Sequence, residues 1–319
     1  MNQPVPLHLI TGFLGSGKTT LLHRVLAEQP ADEQLAVLVN EFGQLGIDGR
    51  LLQGLGSQVR ELASGCICCE LKIDFIAALN QLLDQFAPGR ILVEATGLAQ
   101  ADDLLAAAEA AAAGGRLTVA SVICVVDAEM FTDREMFGSS YFSQIKAADL
   151  LLLNKTDLLA PGEIEPLLAA LAQLNPEARL MPVVRCAVDR DTILAPRRRA
   201  RREGKPLAGF TGGLTTLGDL AGGPDHRPGG DDGFVAFGFQ HPGRLDRDRL
   251  QGFLDSLPWG VFRVKGPVRL DDGPWLLNYT YRRAELTPLE HDGPNRLALV
   301  AWRVNPAAVL AGLEACLAD

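Results

Sequence analysis

The stretch Ile10-Thr11-Gly12-Phe13-Leu14-Gly15-Ser16-Gly17-Lys18-Thr19-Thr20 decides the fold. Positions 12–19 fit G-x-x-x-x-G-K-[ST], the phosphate-binding loop. The apolar run Leu7–Thr11 ahead of it reads as a buried strand. Behind it Leu21, Leu22, Val25 and Leu26 fall on one face of a helix. In that setting Gly12, Gly15 and Gly17 let backbone N–H groups turn inward around phosphate oxygens, where a side chain would block the approach. Ser16 and Thr20 belong to the same cradle. Lys18 is placed to neutralise the β- and γ-phosphates and Thr19 to offer its hydroxyl to Mg²⁺. The N-terminus of the helix adds its partial positive charge.

Working outward, short apolar runs alternate with helical patterns. Leu35–Val39, Arg90–Val93, Ser121–Val126, Leu150–Leu153 and Met181–Val184 read as five more strands, while 74–86, 101–113 and 141–148 read as helices. The expected class is α/β: a P-loop NTPase with a mostly parallel central sheet flanked by helices. Ligands of such sheets bind at the carboxyl ends of the strands, so the residues that follow each run carry the chemistry. Glu94 closes its strand opposite the phosphate loop and is the candidate to hold Mg²⁺ or its water. Gly97 would let the backbone approach the γ-phosphate and move once it has gone.

Asn154-Lys155-Thr156-Asp157 is N-K-x-D at a strand end, the guanine reader of GTPases. The Asp157 carboxylate accepts hydrogen bonds from the ring and amino N–H groups of guanine, which adenine does not offer. Lys155 packs its stem over the base, and Asn154 anchors the loop. Arg185-Cys186-Ala187 follow the last strand as a candidate cap for the base. The expected nucleotide is GTP, turned over to GDP. Neither an arginine finger nor a water-positioning glutamine is identifiable, so intrinsic turnover should be slow.

Between these motifs lies Ser64-Gly65-Cys66-Ile67-Cys68-Cys69-Glu70, which holds three of the six cysteines within four positions. Cys66, Cys68 and Cys69 are soft ligands suited to Zn²⁺ and other late first-row metals. C-x-C-C is tighter than the usual C-x-x-C and leaves the tetrahedron incomplete, which suits a metal that is handed on. Glu41, a histidine, water or a partner group are the candidates for the fourth ligand. A redox-active thiol pair and plain buried thiols are the competing readings. Glu41 and Asp48, in the loop after the second strand, read equally as metal or Mg²⁺ contacts and as solvated loop carboxylates. Cys124, Cys186 and Cys316 stand alone in apolar segments and read as buried thiols.

The 319 residues, 47% of them apolar and 22% charged, suggest an ordinary globular protein of about two domains. A net charge of −9 disfavours nucleic acid as a partner. No apolar stretch is long enough to span a membrane, and no basic n-region precedes the first strand, so the expected compartment is the reducing cytoplasm. Residues 1–203 form the expected nucleotide-binding domain and residues 204–232, rich in Gly, Pro and Asp, a linker. Five arginines among positions 197–202 read as a solvated connector or a dock for an acidic partner. Residues 233–319 read as a smaller α+β domain with an antiparallel sheet. Its strands are 234–240, 261–270, 276–281 and 297–303, with 284–289 as a candidate fifth. One helix carries Leu250, Phe253, Leu254 and Leu257 on one face, and the other starts at Asn305-Pro306.

Taken together, these motifs resemble the CobW-type metallochaperone GTPases, relatives of the urease and hydrogenase nickel GTPases. The resemblance runs through Ile10–Thr20, Val39–Gly43, Gly65–Cys69, Glu94–Leu98 and Asn154–Asp157, and through Leu257–Gly266 in the second domain. It implies a GTPase that binds Zn²⁺ through C-x-C-C, with Co²⁺ or Ni²⁺ as rival ions, and delivers the metal to a client metalloprotein. A homo-oligomer remains open. The chain departs from the family pattern at Gln44, where many relatives carry a second glutamate, and at Glu70-Leu71-Lys72, where Thr or Ser is commoner. It also lacks the histidine-rich tract of some members.

Overall fold

The computed structural model describes residues 3–30, 32–40, 58–62, 69–97, 101–134, 137–197 and 234–318, with the backbone alone at 40, 58–62 and 69–74. The chain divides into two compact units, Met1–Phe210 and Thr211–Asp319.

In the first unit the strands are β1 (Val5–Thr11), β2 (Leu35–Asn40), β3 (Gln58–Leu62), β4 (Arg90–Glu94), β5 (Leu117–Asp127), β6 (Leu150–Asn154) and β7 (Arg179–Pro182). They form a seven-stranded sheet in the order β3-β2-β4-β1-β5-β6-β7, and every pairing is parallel. The helices are α1 (Lys18–Ala27), α2 (Cys69–Phe86), α3 (Ala101–Ala112), α4 (Ala128–Thr132), α5 (Ser139–Ala147), α6 (Ile164–Leu174) and α7 (Arg190–Leu194). The near-continuous apolar strands follow from burial of both sheet faces. Leu7, Leu9, Leu38, Ile91 and Val93 point into one core with Leu79 and Leu82 of α2 and Leu105 of α3. Ile10, Val37, Val39 and Leu92 point into the other, with Leu21, Leu22 and Val25 of α1 and Ile193 of α7. Fully burying each such leucine or isoleucine contributes about 1.5–3 kcal/mol.

Several elements differ from the sequence reading. The short helices α4 and α7 and the 11-residue α6 were not anticipated, and β7 runs over Arg179–Pro182 where Met181–Val184 was expected. β3 was not anticipated: its sequence Q-V-R-E-L is short, with two charged residues of five, and it pairs with β2 alone at the sheet edge. α2 begins at Cys69, five residues before the expected start, so the last cysteine of the cluster is the first residue of a helix.

A polar residue interrupts the apolar run of β1. His8 is fully buried, with Nδ1 2.7 Å from Ser121 Oγ and Nε2 2.9 Å from Arg90 Nη1. A guanidinium only donates, so Nε2 accepts and the ring proton sits on Nδ1, donating to Ser121. Arg90 also pairs with Glu33 at 3.3 Å and donates to the Leu194 carbonyl at 3.0 Å. The second Glu33 oxygen accepts from Arg190 at the start of α7. Burial, and next the Arg90 charge, push the His8 pKa down to about 3. The unfolded chain takes up a proton below the ordinary value of 6.5, which the folded chain refuses until about 3. Stability is therefore fully present above pH 6.5 and declines as pH falls toward 3, by at most about 1.4 kcal/mol per pH unit. Between pH 7 and pH 5 the wild type should lose about 2 kcal/mol more than His8→Gln, which keeps an acceptor and a donor but does not titrate. Urea unfolding followed by circular dichroism at both pH values measures this, and equal losses would clear His8 of the effect.

The second unit contains β8 (Phe234–His241), α8 (Arg247–Ser256), β9 (Val261–Leu270), β10 (Gly273–Thr280), β11 (Arg283–Pro288), β12 (Asn295–Trp302) and α9 (Pro306–Glu314). Its five strands form an antiparallel sheet in the order β11-β10-β9-β12-β8. Leu250 and Leu254 of α8 and Val309 and Leu313 of α9 close the core against Val264, Leu277, Tyr279 and Leu299. The α9 start is as read: the Asn305 side chain accepts from Ala307 N, and Pro306 occupies the first turn. Among the described residues no helix is long and apolar enough to cross a membrane.

Candidate functional site

The sheet order sets β1 between β4 and β5, with β6 next, so their four carboxyl-end loops converge. Ile10 is level with Glu94 across the β1–β4 ladder, and Asp127 is level with Asn154 across β5–β6. The parallel register thus brings residues from four distant segments to one rim of the sheet, where such folds bind ligands.

The loop between β1 and α1 has the backbone that the sequence requires. Gly12, Gly15 and Gly17 have φ of 137°, 73° and 116°. At Gly12 a Cβ would lie 2.2 Å from the Val125 carbonyl oxygen, and at Gly17 it would lie 2.5 Å from Asn154 Nδ2. Any side chain at either position would push the loop off β5 or β6. α1 starts at Lys18 with Gly17 as N-cap, no side chain capping it and no acid in its first turn. Its leading N–H groups are therefore available to an anion. Ser16 is fully buried, and its hydroxyl has no hydrogen-bond partner among the described residues. Such a group fits a loop shaped for a polar ligand. Lys18 lies along the loop, its Nζ donating to the Gly12 and Phe13 carbonyls at 2.9 and 3.1 Å. Thr20 is exposed on the first turn of α1.

Thr19 and Glu94 meet directly. The Thr19 hydroxyl donates to Glu94 Oε1 at 2.9 Å, and Glu94 is only 6% exposed at the end of β4. Two hard oxygen donors beside a phosphate loop fit Mg²⁺, which binds through one or two carboxylates and the phosphates of its nucleotide. Held there by Thr19 and Glu94, the ion would supply charge neutralisation to the phosphates. Gly97, three residues beyond, packs on Leu14 of the phosphate loop, and its carbonyl accepts from Gln144 Nε2 of α5 at 3.1 Å. Tyr141 of the same helix and Phe137 just before it pack against the loop: Phe13 is edge-on to Phe137 and Tyr141, with centroids 5.2 and 5.6 Å away.

On the base side, Asn154 Nδ2 donates to the Ser16 carbonyl at 2.8 Å, and Asn154 Oδ1 accepts from Cys186 N at 2.8 Å. One buried amide thereby ties the phosphate loop to the segment after β7. Lys155 is in the left-handed region, with φ 63°, and leads into the one-turn helix Thr156–Leu158. Its Nζ is 2.6 Å from Asp127 Oδ2. Thr156 fastens the turn through its hydroxyl to the Val183 carbonyl at 3.0 Å. Asp157 is left exposed at the rim. Arg185 and Cys186 also have left-handed backbones, with φ of 49° and 52°, and Arg24 Nε donates to the Arg185 carbonyl at 2.7 Å.

The structure thus brings Gly12, Gly15, Ser16, Gly17, Lys18, Thr19, Glu94, Gly97, Asn154 and Lys155 around one rim. Cys66, Cys68 and Glu41, expected to hold a metal, lie outside the described residues, as do Asp48 and the linker at 204–232. Cys69 is described only as the first residue of α2. Among the described residues no group of three or more His, Cys, Asp or Glu side chains is placed to hold a metal. The three solitary cysteines are buried free thiols. Burial pushes Cys124 and Cys186 up to about 12, so both stay protonated at neutral pH and are poor metal ligands. Sequence reasoning missed Asp127 and Gln144. A carboxylate directly closing a buried strand was the signal available for Asp127, and a polar residue on a helix had no such mark.

Residues 6–182 match the family described as CobW/HypB/UreG, nucleotide-binding domain, and residues 234–317 match the cobalamin synthesis protein cobW C-terminal domain. The zinc chaperone YeiR of Escherichia coli (strain K12) is 32% identical over 273 residues, covering 83% of each chain. The zinc chaperone YjiA of the same organism is 36% identical over 194 residues, or 59% of this chain and 60% of that one. The zinc-regulated GTPase metalloprotein activator 1 of Schizosaccharomyces pombe (strain 972 / ATCC 24843) is 32% identical over 195 residues, or 56% of this chain and 46% of that one.

Proposed function

The chain belongs to the CobW/HypB/UreG family of nucleotide-binding proteins, and from that premise we propose that it is a GTP-hydrolysing zinc metallochaperone. It hydrolyses GTP to GDP and phosphate. Zn²⁺ is its cargo, taken up by Cys66, Cys68 and Cys69 with Glu41 as a helper and passed to a client metalloprotein. The observation that carries the reading is the single rim on which a phosphate loop, the Thr19–Glu94 pair and the N-K-x-D turn converge. The names of the relatives support zinc over nickel or cobalt. In this reading the cysteine cluster lies between the β2 loop and Glu94, in the stretch whose conformation answers to the γ-phosphate in nucleotide switches. Nucleotide state and metal affinity are then linked, and the linkage is reciprocal.

The test is zinc affinity, measured by chelator competition with a non-hydrolysable GTP analogue and with GDP. For the wild type the two affinities should differ by roughly 5- to 150-fold, the usual range of such coupling. The Cys66→Ala/Cys68→Ala/Cys69→Ala variant should lose zinc in both states and keep its nucleotide. Equal zinc affinity in the two states of the wild type would end the chaperone reading, and a triple variant that still binds zinc would end the assignment of the ligands.

A further inference from the structure

The contact between Asp127 and Lys155 differs in construction from a surface ion pair. The Asp127 side chain is 3% exposed, and both its oxygens are engaged. Oδ1 accepts from the backbone N–H groups of Glu129 and Met130 at 3.0 and 3.3 Å and so caps α4. Oδ2 holds Lys155 Nζ at 2.6 Å. Lys155 itself is a quarter exposed and immediately precedes the turn that carries Asp157. A lysine stem without such a partner extends its ammonium group into water and samples many rotamers. Fixed at its far end by a buried carboxylate that is itself fixed by a helix start, the stem has one course across the rim.

We propose that Asp127 is a positioning residue of the guanine site. It holds the Lys155 stem as a preformed wall for the purine ring, so that the nucleotide does not have to order that side chain on binding. The proposal rests on the guanine-nucleotide reading of the N-K-x-D turn. Asp127 does not touch the nucleotide; it acts through Lys155. Its contribution is to affinity for GTP and GDP alike, since both carry the same base, and not to the chemical step.

Asp127→Asn and Asp127→Ser test this, because Asn and Ser cap helices as well as Asp does while lacking its charge. Fluorescent GTP and GDP analogues are titrated into the full chain, and turnover is followed at saturating GTP. Both variants should bind both nucleotides about tenfold more weakly, the order expected for loss of a charge-assisted contact. Their kcat should stay within about twofold of the wild type and their thermal midpoints should hold, so that KM rises alone. Lys155→Ala should weaken binding to a similar degree, and Asp127→Asn added to it should cost nothing further. Undiminished affinity in both Asp127 variants overturns the proposal, as does an additive loss in the double variant. A fall in melting temperature and kcat together with affinity in both variants also overturns it, because Asp127 would then be a helix cap and nothing more. A wild-type chain that binds no guanine nucleotide overturns the reading of the site as well, which separates the two failures.

Discussion

Asp157→Asn is expected to weaken GTP binding by roughly three orders of magnitude and to create affinity for xanthosine triphosphate, with little change in stability. Asp157 stands exposed at the rim, in the one-turn helix that Thr156 fastens to Val183. Its carboxylate presents two acceptors, which match the ring and exocyclic N–H groups of guanine. The carboxamide of Asn presents one acceptor and one donor, so one pair becomes donor against donor. Sites built to hydrogen-bond a group reject the analogue lacking it by as much as about 10⁴–10⁵-fold, because a polar atom is left unpaired at the bound base. Xanthine carries a carbonyl where guanine carries the amino group and so accepts from the new Asn donor. An exposed side chain away from the cores changes stability by no more than about 0.5 kcal/mol, so the effect should appear in specificity alone. Titrations with GTP, xanthosine triphosphate and ATP check it. If the variant retains GTP affinity within about threefold, Asp157 does not read the base.

What could be read in the sequence followed from local physics. β1, β2, β4, β5 and β6 announce themselves because both faces of a parallel sheet are buried, so each carries a mostly apolar run. The Asn305-Pro306 start of α9 and the glycine loop were equally plain, since caps and left-handed turns restrict residue type within a few positions. β3 was hidden because Gln58–Leu62 is stabilised by a ladder to one neighbour and carries no apolar periodicity of its own. The early start of α2 was hidden because Cys-Glu-Leu-Lys-Ile has no capping signature. Within the candidate site, residue types were legible and their partners were not. Asn154 was read as an anchor, but its bond to the Ser16 carbonyl spans 138 positions, and Gln144 reaches Gly97 across 47. His8 sat unremarked in an apolar run, because a buried neutral imidazole is recognisable only once Ser121 and Arg90 are seen on either side of it.

Glu94→Gln is expected to lower Mg²⁺-dependent GTP turnover by about 10²–10³-fold while the chain keeps its fold. Glu94 lies at the end of β4 with 6% of its surface exposed. Gln is isosteric, and its Oε1 can still accept from Thr19 Oγ1, which donates to Glu94 at 2.9 Å, so the local geometry survives. The nucleotide complex, however, loses the charge that draws the divalent ion to the phosphates, and Lys18 by itself cannot neutralise what the ion leaves exposed. Phosphate release against Mg²⁺ concentration should show a midpoint shifted upward, with partial recovery at high Mg²⁺. Thr19→Val added to Glu94→Gln should cost little more if, as proposed, the two oxygens serve one ion and act as a unit. Turnover within about threefold of the wild type at limiting Mg²⁺ would remove Glu94 from the ion site, and a large drop in melting temperature would show that the charge serves the fold instead.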